Sequence, residues 1–364
     1  MLVNPCCVSN KQFIVNVQTQ ASVVLDALIP SDAHIILLDY PHHPNVGDSL
    51  IWLGEIAYLN NRGLKPSYVC DYQNYNVTTI KKIHRKNSII LLHGGGNFGN
   101  LWIHLHKFKL QVLKDFPFLP VIQLPQTVYF EGDKYLAETV NAIKQHSNFT
   151  LLVRCYVSLA FAKQHFSCAI TLCPDMAFFI GSIDNKKISI VDRFILSRTD
   201  VEKPSDSPIN SIQFDPSTSV QIEDWLTISK KEFLIERFES HYWIRKLFSR
   251  LDRNNQVLLY VWHLLAKARL KRGVAQLSKG KVVITDRLHG HILCLLLNKP
   301  HVLMDNTYGK LSHFYKTWTY DSNIAIFAGD QTSVNKASSE LAETFNTKTA
   351  VDISDLNSSV QLSE

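Results

Sequence analysis

Long apolar runs are missing from this 364-residue chain. The best of them, Val257 to Ala266, falls well short of the roughly 20 residues that cross a bilayer, and it carries His263. No basic N-terminal region leads into an apolar core and a small-residue cleavage site, so neither a membrane span nor a secretory signal is expected. Cysteines are few and unpaired in pattern. The seven (Cys6, Cys7, Cys70, Cys155, Cys168, Cys173 and Cys294) are odd in number, scattered, and show neither C-x-x-C nor zinc-finger spacing. A reducing cytoplasm is the expectation, and Cys6 and Cys7, which could be reactive, are expected to be buried or merely tolerated. Internal repeats and extended low-complexity blocks are also absent.

What remains is the composition of a globular protein, 46% hydrophobic and 19% charged. At this length a single core stops growing, so two domains are expected. The net charge of +6 is unevenly placed. Between Lys230 and Lys281 thirteen Lys and Arg face four acids, a local +9 that leaves about −3 for the rest. Such a basic region suits an anionic partner: a phosphorylated substrate, anionic lipid headgroups or, last in order, nucleic acid.

From His34 to about Gly181 short apolar runs alternate with turns and amphipathic stretches, the rhythm of βαβ units. Strands are expected at His34–Tyr40, Ser67–Tyr72, Ser88–His93, Pro120–Leu124, Thr150–Arg154 and Ala169–Cys173, with helices near Asp48–Asn61, Leu101–Asp115, Asp133–His146 and Val157–Phe166. Strands such as Ile89-Ile90-Leu91-Leu92 are apolar throughout, as in a parallel sheet covered on both faces. A second unit begins after Gly181, with strands in Ile188–Ser197, Val282–Thr285 and His301–Met304. Its helices fall near Ser229–Phe248, Asn254–Ser278, His289–Leu297 and Lys310–Trp318. The expected division is an N-terminal Rossmann-like lobe (1–182), a C-terminal one (183–332) and a polar tail (333–364) whose end frays.

Ligands of parallel α/β sheets bind where strand C-termini lead into helices, and three segments there carry unusual residues. In Asn45-Val46-Gly47-Asp48, Asp48 can cap the next helix or act on a hydroxyl proton. In Gly94-Gly95-Gly96-Asn97-Phe98-Gly99, three glycines are expected to offer N–H groups to an anion at a helix N-terminus, or simply to allow close packing. This segment matches G-x-G-x-x-G, but the next strand ends Gln123-Leu124-Pro125-Gln126 without the carboxylate that a nicotinamide cofactor requires. In Asp286-Arg287-Leu288-His289-Gly290-His291, a guanidinium, an imidazole and a helix N-terminus come together, a combination suited to a carboxylate or phosphate. The alternative there is an Arg287–Asp286 pair. Arg154, Asp175 and Arg198 stand near strand ends and join the candidates, Arg198 with surface salt bridging as its other option. His42, His43, His104 and His106 invite a metal, but no Asp, Glu or Cys completes a ligand pattern, so none is expected.

Together, Asn45-Val46-Gly47-Asp48, the strand entering Gly94-Gly95-Gly96-Asn97-Phe98-Gly99, and Arg287-Leu288-His289-Gly290 resemble the polysaccharide pyruvyl transferase family, over roughly His34 to Trp318. The resemblance implies a GT-B-like fold, two Rossmann-like lobes with parallel sheets facing a cleft, the donor anion being held mainly by the C-terminal lobe. It implies transfer of a pyruvyl group from phosphoenolpyruvate, as co-substrate and with no other cofactor, to a saccharide acceptor that can be lipid-linked. Asp48, Arg154, Arg287, Leu288 and His289 fall where the family keeps donor-site and catalytic residues; Arg154 lacks the acidic residue that often follows there. The expected catalytic pair is Asp48 and His289. Arg154, Arg198, Arg287, Leu288, Gly290, Gly95, Gly96 and Asn97 are expected to bind substrate. Trp243, Phe248, Tyr260 and Trp262 among the cations suit peripheral contact with an anionic membrane at its inner face, or else a core beneath a solvated basic face. Two rivals share the fold: a glycosyltransferase using a nucleotide sugar, and a non-catalytic carbohydrate-binding homologue.

Overall fold

The computed structural model describes residues 8–185, 187–199, 209, 212–226, 228, 233, 234, 237, 255–305 and 309–360, with 346–360 described by backbone alone. By compactness the chain divides into two units. One comprises 14–181 with 225–272, the other 1–13, 182–224 and 273–364.

The first unit is built on a parallel sheet ordered β2-β1-β3-β5-β6-β7, with β4 added beside β5. The strands are β1 (His34–Leu38), β2 (Pro66–Cys70), β3 (Ser88–Leu92), β4 (Gly95–Gly99), β5 (Val121–Tyr129), β6 (Phe149–Val153) and β7 (Ala169–Leu172). Helices α1 (Asn10–Leu28), α2 (Val46–Asn61), α3 (Val77–Ile83), α4 (Ile103–Asp115), α5 (Lys134–Gln145) and α6 (Tyr156–His165) connect or precede them. Ile35 and Leu37 of β1 pack into one core with Trp52 and Ile56 of α2, while Ile36 and Leu38 enter another with Phe108 and Val112 of α4. This two-sided burial is why the strands read as unbroken apolar runs.

The second unit carries a parallel sheet ordered β12-β11-β10-β8-β9: β8 (Val191–Leu196), β9 (Val220–Glu223), β10 (Gly280–Thr285), β11 (His301–Leu303) and β12 (Ala325–Phe327). Helix α7 (Gln256–Leu277) belongs to the first unit up to residue 272, and α8 (Leu288–Leu296), α9 (Lys310–Phe314, continued as a π turn to Thr319) and α10 (Gln331–Val360) accompany these later strands. The stretch read as a polar tail is thus helical, and Val334, Ala337 and Leu341 enter the core over Ile195, Ile284 and Val302. Both sheets are parallel and neither closes into a barrel.

Two expectations need correction. The triple glycine does not open a helix: Gly95–Gly99 is strand β4, and α4 starts only at Ile103. The strand expected to stop at Leu124 runs on to Tyr129, changing partner from β3 to β4. Pro125 brings no N–H to the ladder, and the register with β6 shifts between Gln123 and Gln126 to accommodate it. The expected helix at Ser229–Phe248, with Trp243 and Phe248, lies outside the described residues except for its positions 233, 234 and 237.

Candidate active site

In the first unit, the chain leaves β1 at Asp39, which forms a buried ion pair with Lys109 of α4, and turns into α2. Asn45, not Asp48, caps this helix, its side chain accepting from Gly47 N at 2.8 Å. Asp48 sits in the first turn with its carboxylate 3.4 Å from His43 Nε2. Part of the His43 ring reaches solvent (42% exposed), yet the protein around it desolvates the ring enough to hold its pKa below 6.5. The Asp48 carboxylate opposes this shift; Arg269, His93 and His42 reinforce it. Two turns further along α2, buried Glu55 meets His93 Nδ1 at 2.9 Å and accepts from Gly94 N at 2.9 Å.

The carbonyl of His93, past the end of β3, has lost its ladder partner. The side chains of Gln123 (2.8 Å) and Gln126 (3.0 Å) donate to it instead. Gln126 also donates to Asn97 Oδ1 (2.8 Å) and accepts from Asn97 N (3.1 Å), which fixes the strand that carries Gly95, Gly96 and Asn97. A Cβ on Gly95 (φ +128°) would stand 3.5 Å from Asp48 Oδ1, so the glycine backbone passes directly over that carboxylate. From α7, Arg269 approaches Tyr40 Oη at 3.5 Å, Arg272 donates to Pro44 O, and buried Trp262 stacks on Tyr40 at 4.1 Å. Of the aromatics expected at a membrane surface, Trp262 is therefore core and Tyr260 is exposed.

Arg154 follows β6. It is 3% exposed, with Nη1 on Asp175 Oδ2 at 2.6 Å and Nε on Thr127 Oγ1 at 2.8 Å, so Asp175 balances its charge. His106, one of the four histidines weighed for a metal, accepts from Gly99 N through Nδ1 (3.1 Å) and meets Thr139 Oγ1 through Nε2 (2.7 Å). His104 packs against Tyr72. Among the described residues no group of three His, Cys, Asp or Glu is placed to hold a metal ion.

In the second unit, the ends of β8, β9 and β10 bring together Arg198, Asp224, Asp286 and Arg287. Arg287 is the N-cap of α8 and is gripped in a fork by Asp224, Nε to Oδ1 at 2.7 Å and Nη2 to Oδ2 at 2.9 Å. The partner in this pair is thus not Asp286, the alternative weighed from sequence, but a carboxylate 63 residues back. Asp224 also accepts from Thr199 N at 3.0 Å. Asp286 accepts from Arg198 N at 3.1 Å; burial pushes its pKa up to about 6, against the pull of Arg287 and Arg198. Leu288, half-buried His289 and Gly290 form the first turn of α8. A Cβ on Gly290 would lie 2.6 Å from Thr285 Oγ1, so only glycine lets α8 sit this close to β10. His291, next on the helix, belongs to the interior: Nδ1 meets His301 Nε2 at 2.7 Å and Nε2 meets Thr319 Oγ1 at 2.8 Å.

Sequence reasoning passed over Glu55, His93 and Asp224. The position of His93 directly after β3 is the signal that would have found it; nothing local marks Glu55 or Asp224. No helix among the described residues is long and apolar enough to cross a membrane.

Comparison with known proteins places this geometry. The family model described as polysaccharide pyruvyl transferase matches residues 45–308, from the α2 cap to beyond β11. Bacillus subtilis EpsO, provisionally named a pyruvyl transferase, is 28% identical over 316 residues, covering 85% of this chain and 92% of its own. Pyruvyl transferase 1 of Schizosaccharomyces pombe is 28% identical over 324 residues, 85% of this chain and 75% of its own. A functionally uncharacterised protein of Klebsiella pneumoniae shares the fold with a TM-score of 0.56 at 20% identity, over 86% of this chain and 98% of that one. The chain belongs to the polysaccharide pyruvyl transferase family, and it is a transferase.

Proposed function

We propose that the protein transfers the pyruvyl group of phosphoenolpyruvate to two hydroxyls of a saccharide, forming a cyclic ketal and releasing phosphate. The observation that carries the donor assignment is the forked, buried Arg287 at the N-terminus of α8, beside Arg198 and His289. A three-carbon ligand with a carboxylate and a phosphate needs fixed cations and helix N–H groups, and these are concentrated here. Arg154 is paired with Asp175 as Arg287 is with Asp224, so charge balance does not rank the two. The acceptor falls to the unit with Asp48, lined by Gly95, Gly96 and Asn97.

The chemistry follows in two steps. A proton goes to the methylene carbon from His289 as C2 becomes electrophilic, and the first hydroxyl attacks C2 while Asp48 takes its proton. The second hydroxyl then displaces phosphate at C2, the C–O bond to phosphate breaking and the hydroxyl proton leaving with the phosphate. Arg287 stabilises the departing charge. A GT-B-like arrangement, a lipid-linked acceptor, a cytoplasmic site of action and peripheral contact of the 230–281 region with an anionic membrane belong to the same reading. The test is incubation with phosphoenolpyruvate and a panel of nitrophenyl and lipid-linked sugars, following phosphate release and the mass gain of a ketal. Release expected from the wild type should fall at least about 100-fold in His289→Ala or Asp48→Ala; transfer from nucleotide sugars instead would overturn the reading.

A further inference from the structure

The reaction outlined above makes no use of the Glu55–His93 pair, yet this pair is the most fully built polar arrangement beside Asp48. Every polar group of His93 but one is fixed. Its backbone N–H donates to Leu38 O at 3.0 Å, its carbonyl accepts from Gln123 and Gln126, and Nδ1 meets Glu55 at 2.9 Å. A carboxylate that also accepts from Gly94 N requires Nδ1 to be the protonated nitrogen. Nε2 has no hydrogen-bond partner among the described residues, although the side chain is only 1% exposed. Leaving such a nitrogen unmatched costs about 1–3 kcal/mol, which an apolar residue in this place would not incur, so packing does not account for a histidine here. Asp48 and Glu55 lie two turns apart on one face of α2, and that face runs under the glycine backbone: a Cβ on Gly94 would stand 3.6 Å from Glu55 Oε1, one on Gly95 3.5 Å from Asp48 Oδ1.

We propose that His93 is a positioning residue for Asp48: anchored by Glu55, its imidazolium keeps the Asp48 carboxylate ionised and ready for the acceptor hydroxyl's proton. This rests on the reading of Asp48 as the acceptor-side base. The charges agree with the geometry. Burial disfavours a proton on His93, but Glu55, then Asp39 and Asp48, outweigh it and raise its pKa above 6.5. Coupling is mutual, so an imidazolium favoured by Asp48 favours the Asp48 carboxylate by the same amount. The other charged or titratable groups facing this place are His42 and His43 from the β1–α2 segment, Lys109 of α4 through Asp39, and Arg269 of α7.

Two measurements test the proposal on the full chain. In the first, imidazole ¹⁵N and carboxyl ¹³C titrations, which need no substrate, should show His93 protonated at Nδ1 and titrating above 6.5. The same titrations should show the Asp48 pKa rising by about one unit in His93→Gln. In the second, the acid limb of kcat/KM for the acceptor, at saturating phosphoenolpyruvate, should move up by the same unit in His93→Gln. Glu55→Gln, which keeps the side-chain size, should move it in the same direction. A purely structural role would lower the rate by one factor at every pH and leave the limb in place, and that result, or His93 titrating at or below 6.5, would overturn the proposal. If the Asp48 shift is present but phosphoenolpyruvate yields no phosphate, the functional reading has failed and the coupling stands.

Discussion

Acid should weaken this fold through His106 more than its surface charge would suggest, and the size of the effect can be worked out. His106 Nδ1 accepts from Gly99 N, so the nitrogen is unprotonated, and a proton there would break the bond that holds the end of β4. Burial, with a smaller push from Lys109, lowers the pKa from 6.5 to about 3. The unfolded chain therefore binds this proton first. The stability that His106 contributes is complete above 6.5 and is lost progressively as pH falls from 6.5 towards 3. At pH 5, some 1.5 units below the unfolded value, the loss is about 2 kcal/mol, and it is nearly the same for any folded pKa of 4 or less. The assay is urea unfolding at pH 7.5 and pH 5 for the wild type and His106→Asn, whose Oδ1 can still accept from Gly99 N. The ring contacts with Phe98 and Phe130 are lost at both pH values, so only the difference between them is read. The variant should show a pH-dependent loss smaller by about 2 kcal/mol. An unchanged pH dependence would refute the placement of the proton.

Further outcomes follow from the same geometry. His301, lowered by burial to about 4, should add a second acid-sensitive loss over the window from 6.5 down to 4, read as a reduced pH slope in His301→Gln. Gly290→Ala places a methyl 2.6 Å from Thr285 Oγ1 and 2.9 Å from Leu196 Cδ2, and thermal unfolding should register a loss of about 1–3 kcal/mol with weaker donor binding. Asp224→Ala removes the two-bond fork from the buried Arg287 guanidinium, so urea melts should lose about 3–5 kcal/mol, and the KM for phosphoenolpyruvate should rise. Sedimentation with anionic liposomes should carry the protein down in low salt and release it in high salt if the basic region meets a membrane.

The regular part of the fold was open to sequence reasoning because its cause is local. Ile89-Ile90-Leu91-Leu92 and Ile35-Ile36-Leu37-Leu38 are buried on both faces and read as strands at once. Strand β4 could not be read so. Gly95, Gly96, Asn97 and Gly99 have little strand preference, and only pairing with β5 makes them extended. β9, with Val220 and Ile222 alternating with Gln221 and Glu223, is too short to stand out from the loop before it. For α8, the turn from strand to helix at Arg287 was legible because strand end and helix start lie within six residues, whereas the close approach of Gly290 to Thr285 was not read. The partners of these residues were not: Asp224 lies 63 positions before Arg287, and Glu55 lies 38 before His93. No periodicity carries such distances.

The buried charge pairs share one feature. Asp39 is the first residue after β1, His93 after β3, Arg154 after β6 and Asp224 after β9, while Arg287 follows β10 by two residues. Each is closed by an opposite partner: Lys109, Glu55, Asp175 and, for Asp224 and Arg287, one another. Buried ion pairs are poor stabilisers, since desolvation takes back most of the Coulombic gain and well-packed apolar residues do as well or better. A protein selected for stability alone would scatter such pairs or dispense with them. Here they occupy the one edge of each parallel sheet where ligands bind, and their rigid, preorganised charges are of use to a polyanion and a polyhydroxyl acceptor. Their placement therefore points to chemistry in preference to folding, and the stability they cost is the reason that Asp224→Ala and Glu55→Gln should be read by kinetics and by unfolding together.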